Sequence, residues 1–435
     1  MGACSESSPA PPSRESCSTP DPIGSRHLSL VIASNGILRV AGGASTVLVG
    51  IYLADLAGRG FGVGAGLVGS LAAISFGAEL VGAVPLGMLS DAVSTRVLMT
   101  CGALLAAVAT LLFGITHDPG VFAVSRALEG LAAAASVPAL LAHLADATAR
   151  NRTLRARAMS YFELSLLAGL ALGGIVGSQL WSVLGTRAFS ALAALYVVAA
   201  VLLFVGSAGS RGHRGGDIWA GLTRSLATPA LRRLAPVWLC MNAILGLWLG
   251  PTLYFLLTNR SNGSQLLTGL FADNPAGLGW LLFTYALVFG TGVVVWSRFL
   301  PRMDLSRALR IALFAMLGVS IGLLILNHMG AQPLRLRWML TVVIGALIMI
   351  ESGFTPAALS LLAGAVGSAV GRGAAMGIYS FLLSLGALGG SVLAGITGRW
   401  LAIDGLTYAT LGLALVALAL LPRLRSARPS ISEAI

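Results

Sequence analysis

Lysine is absent from this 435-residue sequence: all 28 basic residues are arginine. A phosphate-cradling loop of the Walker type, which depends on its lysine, is thereby excluded. Charge of either sign is scarce, at 10% of residues against 56% hydrophobic, whereas a soluble domain carries about 25% charged residues. So few charged side chains cannot solvate the surface of a 44.4 kDa globule, and a water-soluble fold is excluded. Cysteine occurs only as Cys4, Cys17, Cys101 and Cys240, with no metal or disulfide-framework spacing. The five histidines, at 27, 117, 143, 213 and 328, are scattered. Neither a His-Glu-x-x-His helix nor a Gly-x-Ser-x-Gly elbow is present, which argues against an enzyme. The expectation is a protein with no metal and no cofactor.

Apolar length is what the chain does have, with a mean hydropathy of +0.87. About 12 bilayer-crossing helices of about 21 residues would use roughly 58% of it. The predicted fold class is therefore all-α and polytopic. Twelve spans are read at 29–54, 63–89, 95–115, 119–145, 156–184, 186–206, 234–257, 277–297, 307–327, 337–363, 374–396 and 405–422. The polar segment 207–233 divides them into six-helix bundles, 29–206 and 234–422. In that segment Ile218, Trp219, Leu222 and Leu226, interleaved with arginine, have the pattern of an interfacial helix. Residues 1–28, rich in Ser and Pro, are expected to be a disordered cytoplasmic tail, and 423–435 a second cytoplasmic tail.

The net charge of +12 is a matter of topology rather than nucleic-acid binding. With the N-terminus inside, 20 of the 28 arginines fall on the cytoplasmic side and six on the other, while Arg39 and Arg126 lie within spans. This is a positive-inside bias. It predicts two cytoplasmic termini in an inner (plasma) membrane, with lipids as the surrounding partners and a monomeric chain.

The two halves also repeat. Met159 and Met376 are 217 residues apart, Gly173 and Gly389 are 216 apart, and Pro138 and Pro356 are 218 apart. Half the chain length is nearly the same number. Two related helix bundles around a central loop are transporter architecture, with the site near the midplane between halves that rock.

A charge at the bilayer centre costs about 2.5–3.5 kcal/mol on insertion scales, so such residues face a cavity or a partner. They are Arg39, Glu79, Arg126, Glu129, Glu163 and Glu351. Arg39 and Glu79 each lie about 15 Å from the inner end of their span, so they can pair, structurally or functionally. Arg126 and Glu129 share a helix face. Glu351 has no basic neighbour along its helix and is the candidate proton or cation site. Tyr161, Trp248, Tyr254, Tyr285 and Tyr379 are candidates for stacking on a substrate, and Asn35 and Asn242 for hydrogen bonding to it.

Three motifs bear on family. The loop after span two carries Gly87, Asp91 and Arg96; span four carries Arg126, Glu129 and Gly130, followed by Pro138 and Asp146; span five carries Gly169, Gly173, Gly174 and Gly177. Together they resemble the major facilitator superfamily, from about residue 29 to 422. The span-five glycines resemble the signature of the drug:proton antiporter branch, which includes tetracycline and multidrug exporters, although Gly174 stands where that signature has Pro. Ala92, Ser94 and Thr95 likewise depart from the first motif. The resemblance implies a conformational latch at Gly87, Asp91 and Arg96, and close helix packing at Gly130, Gly169, Gly173, Gly174 and Gly177. It further implies export of a small amphipathic organic compound, with the proton as coupling ion. The alternative on the same fold is proton-coupled uptake of an organic anion or nutrient, with Arg39 and Arg126 as ligands.

Overall fold

The computed structural model describes residues 22–148, 152–207, 229–260, 264–366 and 372–422. Most of the central segment, including Ile218 to Leu226, and both distal tails lie outside these. Among the described residues the regular structure is helical throughout, with no strand. Ten stretches are long and apolar enough to cross a membrane. In the first half these build α1 (Pro22–Gly58), α2 (Ala65–Ala92), α3 (Thr95–Gly114), α4 (Pro119–Ala147), α5 (Arg152–Leu184) and α6 (Ala188–Gly206). In the second half are α7 (Pro229–Trp248), α8 (Pro251–Thr258), α9 (Pro275–Phe299), α10 (Leu305–Asn327), α11 (Leu334–Glu351), α12 (Phe354–Val366) and α13 (Arg372–Leu420).

Two of the ten stretches cross twice. Ala171–Gly206 reverses around Gly185, whose φ of +55° suits glycine. On one side of that turn Gly169 and Gly177 pack on Arg39 and Ala44, running parallel to α1. On the other side Phe189 meets Tyr52 and Ser34 donates to the Ala199 carbonyl, running antiparallel. In Phe381–Leu420 the corner is Ala402 (φ 49°, ψ −129°), after which Gly405 folds back against Thr397. Among the described residues the result is twelve crossings, as expected, but three boundaries differ from the hydropathy reading. Helix α1 begins at Pro22, a residue pre-organised for a helix start. Span seven breaks into α7 and α8 at Gly250, with Pro251 opening the new helix. Span ten breaks into α11 and α12 at Ser352 and Gly353, where a Cβ on Gly353 would collide with the Trp296 ring.

The repeat is visible as equivalent close packing. In the first half Gly43 lies against the backbone of Gly169 and Gly173, joining α1 to α5. In the second half Gly390 lies against Ala243 and Gly246 against Ala387, joining α7 to α13. Without Cβ atoms at these points the backbones approach closely enough for dispersion contacts to hold apolar helices together in lipid.

Close glycine contacts join the halves on three helix pairs. Gly50 of α1 packs on α8, where a Cβ would stand 2.7 Å from the Pro251 carbonyl oxygen. Gly69 of α2 lies against Gly395 and Ser391 of α13. On the third pair Gly279 of α9 lies against Ser178 of α5, and Gly174 against Leu282. All three contacts lie toward the helix ends farthest from the chain termini. A continuous apolar cluster fills this end, drawing Leu53 and Tyr52 from one half and Leu257, Leu278 and Ile403 from the other.

Candidate functional site

The first half lines a half-open cavity of about 320 Å³ among α1, α3, α4, α5 and α6. Small residues open it: Gly42, Gly102, Ala103, Ala132 and Ala133 all face it. Its polar groups are Asn35, Arg39, Glu129, Ser136 and Tyr196, and that volume lies within the range of small-molecule pockets. Two of the intramembrane charges singled out by hydropathy thus share one wall-lined space, although they sit on different helices.

Each charge has a defined setting. Arg126 is buried and forms an ion pair with Glu129 one helical turn along α4, so it faces the cavity through its partner. Gly130 follows immediately, and any Cβ there would run into the Ser75 carbonyl of α2. The Arg39 guanidinium lies 5.2 Å from the centre of the Phe162 ring, a cation–π distance. Glu79 on α2 lies within electrostatic reach of Arg39 and within hydrogen-bonding reach of Ser384 on α13. Through Ser384, Glu79 also reaches the other half. Asn35 is buried and donates from Nδ2 to the Ser165 hydroxyl, 2.5 Å away, which bonds in turn to the Phe162 carbonyl.

In the second half, Glu351 ends α11 at the break in span ten. Trp296 fixes that break by donating from Nε1 to the Ile350 carbonyl at 2.9 Å. Tyr285 is within electrostatic reach of Glu351 and of Tyr254. Glu351 belongs to a different helix set from the first-half cavity.

The aromatic candidates divide. Tyr254 is buried at the junction of the halves, packed on Gly50. Trp248 donates from Nε1 to the Thr410 hydroxyl at 2.8 Å, which occupies its polar edge. Asn242 is buried and caps its own helix turn through the Trp238 carbonyl. Tyr161 is half-exposed. The side chains of Glu163, Tyr379, Gly87 and Asp91 lie outside what the structure describes; Arg96, the remaining latch candidate, lies over the Phe204 ring at 3.7 Å. Of the span-five glycines, Gly169, Gly173 and Gly177 pack on α1 and Gly174 on α9.

Sequence reading missed Tyr196, Ser136 and Ser384. Tyr196 sits in the most apolar of the first-half helices, where a lone tyrosine resembles a packing residue. Its place within electrostatic reach of Glu129 and Arg126 depends on helix rotation that periodicity does not fix. Asp404, Asn327 and Gln265 were also missed, because the first two lie at span edges and the third in a loop.

Solved structures of several transporters share this architecture. The chain superposes on a crystal structure of a bacterial homolog of the human lysosomal transporter Spinster, inward-facing and occupied, with a TM-score of 0.68, 14% identity, and coverage of 94% of this chain and 97% of that one. The nucleoside transporter NupG gives a TM-score of 0.70 at 13% identity, covering 92% and 98%. The peptide transporter POT, in complex with sulfate, gives 0.69 at 15% identity, covering 91% and 94%. Likeness at these identities establishes the fold. No curated protein matches the sequence itself. The model of the Major Facilitator Superfamily matches residues 36–270, more than half of the sequence, and the chain belongs to that superfamily of multi-pass membrane transporters.

Proposed function

We propose that the protein is a proton-coupled secondary transporter that exports a small amphipathic organic compound by alternating access. The observation that carries this reading is the convergence of Arg39, Glu129 and Tyr196 on one intramembrane cavity of about 320 Å³, with Glu79 in reach of Arg39. A carboxylate kept in a low-dielectric space beside a cation can exchange its proton when a bound ligand changes the local charge. Mostly apolar walls with a few convergent polar groups suit an amphipathic ligand. Glu351, on the other half, is the second proton-exchanging carboxylate.

The arginine distribution supports two cytoplasmic termini in the inner (plasma) membrane. With that orientation the closed junction lies outside, and the form described here is inward-facing. The bundles 29–206 and 234–422 are then the rocking bodies and 207–233 their cytoplasmic connection. A monomer in lipid, with the proton as coupling ion and no other cofactor, suffices for this cycle. Latching by Gly87, Asp91 and Arg96 would act on the cytoplasmic side.

The alternative is uptake of an organic anion, favoured by the Arg39 guanidinium at the cavity and by Gly174 in place of the antiporter proline. The fold is shared with a nucleoside transporter and a peptide transporter, which is compatible with either direction. Purified protein in vesicles carrying a pre-formed pH gradient tests both. Under the export reading, addition of substrate collapses the gradient by antiport, and a library of amphipathic compounds that leaves it intact would sink the proposal. Substrate moving with the proton rather than against it would establish the alternative.

A further inference from the structure

Arg39 and Glu79 both belong to the first half, so they move together when the halves rock as bodies. A carboxylate that couples proton exchange to rocking needs a partner whose contact differs between the two conformations. A bound species shifts an equilibrium only through its differential interaction with the two states. The second half supplies such a partner in Ser384 of α13, which is buried and whose hydroxyl is in position to donate to the Glu79 carboxylate. Other buried polar groups near the junction bond within one half: Asn327 Nδ2 and Gln265 Nε2 donate to Asp404 at 2.7 and 3.0 Å.

The Glu79–Ser384 contact closes the inner end of a seam between the halves. Along that seam α2 and α13 run antiparallel. A Cβ on Gly398 would stand 3.4 Å from the Ala65 Cβ, Gly69 lies against Gly395, and a Cβ on Gly77 would stand 3.4 Å from Leu388 Cδ1. Glu79 and Ser384 continue the same register. One turn further along α2, Gly82 packs on Leu131 of its own half and Val81 is 75% exposed. The pairs above Glu79 are apolar and indifferent to pH. Few charged groups surround Glu79. Arg39 comes from α1, and on α4 Arg126 and Glu129 are paired with each other. Arg96 stands at the start of α3, α8 carries only Tyr254 among titratable groups, and residues 381–398 of α13 carry no charge.

We propose that Ser384 is the positioning residue for proton coupling, acting through Glu79: the charged carboxylate holds α2 against α13, and its protonation frees the two helices to part. The assignment rests on the proton-coupled, alternating-access reading and names the contact through which the proton acts on the halves. A charge-assisted hydrogen bond is roughly twice as strong as a neutral one. A donor and acceptor about 3.6 Å apart are no longer bonded, so a small displacement of α13 ends the contact.

The test places nitroxide labels on Val183→Cys and Trp400→Cys, exposed outer positions on opposite halves, in the full-length protein with its four natural cysteines changed to serine. Pulsed electron resonance in nanodiscs reads the distance between these outer ends from about pH 5 to about pH 9, a range wide enough to titrate a buried glutamate. Acidification is expected to raise the ratio of long-distance to short-distance populations about tenfold, as a charge-assisted bond gives way to a neutral one. Ser384→Ala should hold that ratio within about twofold over the same range, because the bond is gone at every pH. Glu79→Gln should do the same with the packing of Ser384 untouched. Ser384→Thr, which keeps the hydroxyl, should restore the response, as a packing role alone would not require. A full response in Ser384→Ala, or none in Ser384→Thr, overturns the role of Ser384. Gly69→Leu, whose side chain collides with the Gly395 backbone, should open the seam at any pH. Long distances in that variant with no pH response in the unaltered seam overturn the proposal and leave alternating access standing. No long distance in any variant at any pH overturns alternating access, and the role of Ser384 with it.

Discussion

At the residue scale, the buried charges separate into those that hold the fold and those positioned to work. Arg126 and Glu129 make an ion pair whose side chains are 5% and 16% exposed. Removing one member leaves an uncompensated buried charge, a loss of about 3–5 kcal/mol. Glu129→Leu should therefore lower the unfolding temperature in detergent markedly. The double variant Arg126→Met with Glu129→Leu should recover most of that stability, because two apolar side chains of similar volume replace the pair. If the pair also serves transport, the double variant is stable and inactive; a stable and fully active one would assign the pair to packing alone. Glu351 yields a different expectation: Glu351→Gln keeps the size and hydrogen bonding of the side chain while removing its titration, so substrate-induced proton release should vanish with substrate binding intact. Retained coupling in Glu351→Gln vesicles would remove Glu351 from the mechanism. All of these residues were legible in the sequence, because a charge in an apolar run is conspicuous at a cost of about 2.5–3.5 kcal/mol. Their grouping was not legible. Arg39 and Glu129 stand 90 positions apart, and nothing in either helix pattern says that both turn toward one cavity.

At the element scale, helix existence followed from apolar length, and helix interruptions followed only where the chain carries a residue that demands one. Gly250 and Pro251 mark the break between α7 and α8, since proline opens a helix well, although Pro85, Pro138 and Pro236 lie inside helices that continue past them. Ser352 and Gly353 announce theirs less clearly, and the reason Gly353 must be glycine lies on another helix, in the Trp296 ring. The turn between spans eleven and twelve was legible from the charges Arg399 and Asp404, but nothing in the sequence marks Ala402 as its corner. A non-glycine residue at φ 49° and ψ −129° occupies a region that glycine alone enters freely, at a cost of about 1–3 kcal/mol. The bonds to Asp404 and the fold-back of Gly405 on Thr397 hold it there. Ala402→Gly should therefore leave the topology unchanged and raise thermal stability by up to about 1–2 kcal/mol, the relief being reduced by glycine's larger loss of backbone entropy. A fall in the melting temperature of that variant would mean that the corner carries no strain.

At the scale of the whole molecule, the close glycine contacts divide into two kinds that composition alone does not distinguish. Those within a half, such as Gly43 on Gly169 and Gly390 on Ala243, bind α1 to α5 and α7 to α13. Those between halves, such as Gly69 on Gly395 and Gly279 on Ser178, bind α2 to α13 and α9 to α5, and only the assembled structure identifies them. The second kind should open and close if the halves rock, while the first kind should not. Ala65 and Gly398 provide a direct way to arrest the motion. A Cβ built on Gly398 stands 3.4 Å from the Ala65 Cβ, close to the 3.5–4.5 Å of a disulfide. With Cys4, Cys17, Cys101 and Cys240 replaced by serine, Ala65→Cys with Gly398→Cys should cross-link α2 to α13 across the junction on oxidation. Transport in vesicles should then fall to background and return on reduction, while substrate binding from the terminus-bearing side persists, because the cavity lies wholly within one half. An oxidised, fully cross-linked protein that still transports would show that the halves need not part at this end. The glycine contacts between them would then be static packing of the same kind as those within each bundle.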